Sequence, residues 1–258
     1  MRLLDVALAP AAILGRGVKD SGRAASFVRH TLRGNRIAPS LPCEINGRAQ
    51  PLVLLHGYLA TRGSLAVLES RLSQQGHVVF TCPLGPIHVG DIRASAERVA
   101  RRVESVLEQT GLQRLDLVGH SMGGLVGLYY LKRLGGHRHL RRLGLLGTPA
   151  MGTWSALLGL LTTPLGKGSS QLLPNSAFIE ELSSDPLPPG VEVFTIVGNR
   201  DWLVPTSATY LAGVHRICLP TNHAGLLFDD QVADSLGAIL REGDKSGVSS
   251  SDNVAIRR

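Results

Sequence analysis

The sequence predicts an α/β fold, a mostly parallel sheet with helices on both faces and a small apolar cap insertion. Three observations lead there. From residue 51 onward, short apolar runs alternate strictly with longer amphipathic stretches, the rhythm of strands separated by helices. The apolar runs are continuous rather than alternating, as in PLVLLH, which suits strands buried on both faces. With 258 residues, 43% hydrophobic and 18% charged, the chain has the material for one large core.

Taken in order, Pro51 to His56 is the first strand, a helix covers Gly63 to Gln75, and His77 to Thr81 is the next strand. After Gly90 comes the clearest helix. Asp91 caps it, Ile92, Ala96, Val99, Val103 and Leu107 recur at three- and four-residue steps, and Gly111 ends it. Its outer face carries Glu97 and Arg101 at a favourable four-residue spacing. Arg114 to Val118 gives a strand, Met122 to Leu134 a helix, and Leu140 to Leu146 and Val191 to Val197 two further strands. Val214 to Leu219 is a strand and Asp229 to Arg241 a helix. Functional residues in such a sheet belong at the carboxyl ends of the strands.

Three stretches stand outside this rhythm. Residues 1–48 read as a helical N-terminal extension that ends in the turn-like Pro39 to Gly47, leaving 49–242 as the α/β domain. Residues 152–190 are too long for an ordinary connection and are apolar, with Trp154, Leu157, Leu158, Leu160 and Leu161, so they read as a cap with structure of its own. Residues 243–258, polar and short of apolar anchors, read as a disordered tail.

Charge and cysteine use narrow the function classes. The net charge of +7 invites a nucleic-acid partner, but aromatic residues are 4% of the chain. None interleaves with the densest basic run, Lys132, Arg133, Arg138, Arg141 and Arg142, as a base-stacking platform requires. That run reads as a solvated basic face, with no nucleic-acid partner. Peripheral contact of the N-terminal segment with an anionic membrane surface stays open. Cys43, Cys82 and Cys218 are odd in number and widely spaced; they fit buried free thiols, a reducing, cytoplasmic compartment, and neither a disulfide framework nor a metal site. The apolar N-terminus is interrupted by Asp5 and Pro10, which makes a poor signal peptide without excluding secretion.

The chemistry-bearing motif is Gly119-His120-Ser121-Met122-Gly123, which matches G-x-S-x-G. It directly follows the strand RLDLV and directly precedes the helix GGLVGLYYLKRL, the context that makes such a motif a nucleophile elbow. Gly119 and Gly123 supply the space a sharp turn needs. A serine there projects at a helix N-terminus, where backbone N–H groups favour developing negative charge.

GHSMGGLVGLYY resembles the elbow of the α/β-hydrolases, most closely their bacterial lipase and esterase branch, and the resemblance runs from about Pro51 to Glu242. His56-Gly57-Tyr58 is similar to that superfamily's oxyanion turn, although Leu59-Ala60-Thr61 lacks the second glycine of the common HGxxG form. The resemblance implies that the backbone amides of Tyr58 and Met122 form an oxyanion hole, and it gives His56 a structural part. It also implies the chain order serine, acid, histidine. Asp201, in the turn after VFTIV, and His223, in the loop after RICL, resemble the family's acid and histidine. Asp116, Glu192, His77, His137, His139 and His215 lie inside strands, at strand starts or at the opposite edge, and Asp229 and Asp230 read as helix caps. Gly147 to Thr153, GTPAMGT, resembles the motif that introduces a lid in lipase-like members, with Ala150 in place of its histidine.

The expectation is therefore a carboxylic-ester hydrolase that passes through an acyl-enzyme, acts on a small-molecule or lipid ester, and requires no cofactor. Acyl transfer or thioester cleavage on the same triad is the alternative within enzymes. A non-catalytic binding module of the same fold is the alternative outside them.

Overall fold

The computed structural model describes residues 18–35, 51–85 and 88–242. The apolar N-terminal stretch, the turn expected at Pro39 to Gly47, Cys43 and the tail expected to be disordered lie outside the described residues. The helices are α1 (Val18–Leu32), α2 (Ala66–Gln74), α3 (Ile92–Thr110), α4 (Met122–Arg133), α5 (Gly168–Gln171), α6 (Ala177–Ser183), α7 (Gly225–Phe228) and α8 (Asp230–Glu242). The strands are β1 (Pro51–Leu55), β2 (Val78–Cys82), β3 (Leu115–His120), β4 (Leu140–Leu146), β5 (Glu192–Gly198) and β6 (His215–Leu219). They form one sheet in the order β2-β1-β3-β4-β5-β6, every pair parallel.

The continuous apolar runs are explained by two cores, one on each face. In β1, Val53 and Leu55 join the cluster that holds Ile92, Ala96, Val99 and Val103 of α3 and Leu125 of α4. Leu52 and Leu54 join the opposite cluster, with Leu68 and Leu72 of α2 and Val232, Leu236 and Leu240 of α8. Successive side chains of a strand point to opposite faces, so a strand covered on both sides must be apolar at every position. That coverage ends at β6, an edge strand whose residues are half-buried or exposed. Cys218 is consequently exposed, contrary to the expectation of a buried thiol, whereas Cys82 is buried.

Helix α3 has the expected ends. Asp91 accepts a hydrogen bond from the Arg93 amide at 2.8 Å, a cap that stabilises a helix by about 1 kcal/mol. Gly111 closes the helix at φ 68° and donates to the Leu107 carbonyl. Val106 completes the buried stripe, and Leu107 lies at its margin. The basic run is less solvated than expected. Arg141 pairs with buried Asp116, and Arg142, itself buried, pairs with Glu192 and donates to the Leu240 carbonyl. Lys132 donates to the Leu182 and Asp185 carbonyls. These cations tie β4 and α4 to their neighbours. Among the described residues, no helix is long and apolar enough to cross a membrane.

The strand order locates the site. The chain leaves β1 for β2 on one side and then returns to lay β3 on the other. Loops leaving β1 and β3 therefore diverge and open a crevice at the carboxyl edge of the sheet. Gly57 and Ser121 stand on the two sides of that crevice.

Candidate active site

Ser121 occupies the sharp turn between β3 and α4 with φ 54° and ψ −125°, a conformation costly for any residue with a side chain. Its neighbours hold it there. The Ser121 amide donates to the Leu146 carbonyl at 2.8 Å, and its carbonyl accepts from Gly124. A Cβ on Gly119 would lie 2.4 Å from the Gly124 nitrogen, and one on Gly123 would lie 2.6 Å from the His56 carbonyl oxygen. Strand and helix can approach only because both positions lack a side chain.

His223 and Ser121 line one cavity of about 170 Å³, whose other walls include Phe27, Tyr58, Leu59, Ala156, Leu158, Leu172, Leu203 and Val204. Asp201 stands directly behind the histidine, its Oδ2 2.6 Å from His223 Nδ1 and its side chain almost fully buried. The other carboxylate oxygen accepts from the Val204 amide at 2.8 Å. Asp201 is thus fixed at both oxygens, and His223 is held through Nδ1. Asp229, set aside as a cap, accepts from the Gln231 amide and pairs with Arg23.

Tyr58 lines the cavity, and its hydroxyl donates to the Gly159 carbonyl at 3.1 Å. Met122 opens α4, where the first amides have no intrahelical acceptor. The turn is strained one residue before Ala60, which stands where the HGxxG form has its second glycine. Leu59 takes φ 53°, and the strain is held by a two-bond bridge to His88: Leu59 N–H to the His88 carbonyl at 3.0 Å, and His88 N–H to the Ala60 carbonyl at 3.2 Å.

Sequence reasoning missed three supports of this arrangement. The His120 ring packs 4.7 Å from the His223 ring, and its Nε2–H donates to the His223 carbonyl at 3.1 Å, so the variable position of G-x-S-x-G steadies the histidine loop. Gly147 has φ 54°, and a Cβ there would lie 3.3 Å from Asp201 Oδ2 and 3.4 Å from His223 Nδ1. The GTP turn therefore leaves the acid–histidine pair its room. Phe27, from the N-terminal extension, reaches the cavity wall. Neither His120 nor Gly147 was without a signal, since both lie in motifs already singled out; Phe27 had none.

Two more buried histidines stiffen the turn. His56 Nε2 accepts from the Leu84 amide at 3.3 Å while its Nδ1–H faces the Gly57 carbonyl at 3.3 Å. Only the neutral ring can do both, and burial holds its pKa down at about 4. His88, edge-on to His56 with ring centroids 5.3 Å apart, is held at about 3 by burial and by the neighbouring ring. The structural part expected for His56 has this physical content.

Of the apolar segment after the GTP turn, Ala156 and Leu158 line the cavity. Trp154 and Leu157 stand outside that wall; Trp154, Leu157 and Leu158 are all exposed, at 65%, 49% and 56%.

With this geometry established, comparison with known proteins shows which fold the framework has. Residues 50–164 match a family model described as the alpha/beta hydrolase fold. A Bacillus licheniformis lipase in mature form superposes with a TM-score of 0.65 at 17% identity, over 79% of this chain and 95% of that one. The fold is the α/β-hydrolase fold. Aspergillus fumigatus lipase B shares this α/β-hydrolase framework at a TM-score of 0.63 and 16% identity, over 76% of this chain and 53% of that one. A thermophilic esterase from Thermogutta terrifontis does so at 0.54 and 17%, over 75% and 90%. In sequence, the chain is 27% identical over 79 residues to 2-succinyl-6-hydroxy-2,4-cyclohexadiene-1-carboxylate synthase of Serratia proteamaculans, 31% of each chain. The chain thus spans about a third of that relative's length. The matched α/β-hydrolase segment includes Gly57, Tyr58 and Ser121 but stops before Asp201 and His223.

Proposed function

We propose that this chain hydrolyses carboxylic esters through a Ser121–His223–Asp201 triad. The observation that carries the reading is the short Asp201–His223 hydrogen bond at the cavity that also exposes Ser121 in a strained turn. A serine hydroxyl needs a base to accept its proton, and the base needs an acid to fix its tautomer. With Nδ1–H donating to Asp201, His223 Nε2 is the unprotonated nitrogen that can serve as that base.

In the proposed reaction Ser121 Oγ attacks the ester carbonyl carbon while Nε2 of His223 takes its proton. The carbonyl oxygen becomes an oxyanion that accepts hydrogen bonds from the Tyr58 and Met122 amides. Collapse of the intermediate breaks the bond to the alkoxy oxygen, which leaves as the alcohol with the proton from His223. Water then attacks the acyl-enzyme, His223 takes its proton, and the acid departs from regenerated Ser121. No step uses a cofactor or a metal. The apolar walls support an ester with an apolar acyl or alkyl group as the substrate.

Labelling with a fluorophosphonate, followed by peptide mass spectrometry, tests the assignment. Modification at Ser121 is expected, together with turnover of p-nitrophenyl butyrate that falls by about four orders of magnitude or more in Ser121→Ala and His223→Ala. A double variant should be little worse than either single one, because the members act as a unit. Labelling elsewhere, or full turnover without Ser121, would overturn the proposal.

A further inference from the structure

Helix α1 docks where two loops of the site converge. At its start, Arg23 pairs with Asp229 at 2.6 Å and reaches Thr221 Oγ1 at 3.4 Å, in the loop that carries His223. At its end, the Thr61 hydroxyl donates to the Thr31 carbonyl at 2.7 Å, and the Gly63 amide to the Gly34 carbonyl at 3.1 Å. These partners follow the Gly57-Tyr58 turn in the same loop. The approach is close enough to require glycine at 63, where a Cβ would lie 2.1 Å from the His30 carbonyl oxygen.

Between the two attachments sits Phe27. Arg23, Phe27 and Thr31 recur at four-residue steps and so share one face of α1. Phe27 packs against the core cluster that contains Leu226 and Leu227, yet it is only partly buried and lines the cavity with Ser121 and His223. An aromatic ring on a helix pinned at both ends is a rigid wall, and bulk that meets such a wall is excluded rather than accommodated.

We propose that Phe27 is a specificity-determining residue of the site: the N-terminal helix supplies the aromatic wall that limits the length of the apolar group accepted in the ester. The helix is outside the segment that matches the family model. The inference rests on the reading of the site as an ester hydrolase.

The test compares wild type, Phe27→Ala and Phe27→Trp on p-nitrophenyl esters from acetate to decanoate, with kcat/KM taken at each length. Thermal unfolding and the rate of Ser121 labelling by a small fluorophosphonate are measured in parallel. Phe27→Ala is expected to raise the preference for long over short esters roughly tenfold, the worth of about two buried methylenes. Phe27→Trp should shift the ratio the other way. Profiles that fall in parallel at every length would overturn the proposal, because they would mean that the ring only supports the fold. If Phe27→Ala does not fold, Phe27→Trp and Phe27→Leu decide by the same criterion. A wild-type protein that is labelled and active, with a profile neither variant moves, would sink the Phe27 assignment alone. A wild-type protein neither labelled at Ser121 nor active on any ester would sink the hydrolase reading and this inference with it.

Discussion

Gly147 shows how much a single missing side chain can carry. Its positive φ is costly for any L-residue, and its Cα lies where a methyl group would crowd Leu226, Asp201 and His223 together. Gly147→Ala is therefore expected to destabilise the protein by about 1–2 kcal/mol from backbone strain. It should lower kcat more than it raises KM, since the crowded groups are the proposed acid and base. Thermal unfolding and ester kinetics check this; unchanged kcat would mean that the pair has slack. The same residue shows what could be seen in the sequence and what could not. Ser121 stood out by its motif and flanks, and Asp201 and His223 by following strands in the chain order that the family resemblance implies. The pressure of Gly147 on the pair is a contact between β4, the β5 loop and the β6 loop, and no local pattern encodes a contact of that kind.

At the scale of elements, periodicity carried most of the reading and composition carried little. Helix α3 was legible to its caps because its 3.6-residue stripe, Asp91 and Gly111 all agree. The segment after the GTP turn was legible as structured and apolar but not as to which leucines face inward. It winds as a 3-10 helix, Trp154–Leu165, which repeats every three residues. Ser155 and Leu158 therefore share the side that meets the cavity, although Leu158 is itself exposed, while Trp154 and Leu157 share a neighbouring side outside the cavity wall. Leu158→Ser is accordingly expected to flatten the preference for longer acyl chains, each lost methylene contact being worth about 0.8 kcal/mol. Leu157→Ser should leave the chain-length profile as it was. A series of p-nitrophenyl esters distinguishes the two, and equal effects would place the acyl group elsewhere.

For the molecule as a whole, the buried histidines make stability depend on pH. Folded His56 and His88 titrate at about 4 and about 3, whereas an unfolded chain holds them near 6.5. Between those values the unfolded state binds protons that the folded state refuses, so stability present above pH 6.5 is lost as pH falls toward 4. At pH 5 each ring should cost about 2 kcal/mol relative to pH 8. Urea unfolding at the two pH values measures the loss, and His88→Gln should reduce it by about one ring's share; an equal loss in the variant would assign the effect to other groups. The strand order has a last consequence, for timing during synthesis. From β4 onward each strand joins the edge left by the one before it, so the sheet can grow vectorially as the chain leaves the ribosome. The Ser121 turn is complete early, but the His223 loop emerges about 100 residues later, roughly 5–20 s at 5–20 residues per second. Helix α1, made before either, finds half of its dock only when Thr221 and Asp229 have appeared. The nascent chain thus carries Ser121 without its proposed base until the loop that holds His223 is in place.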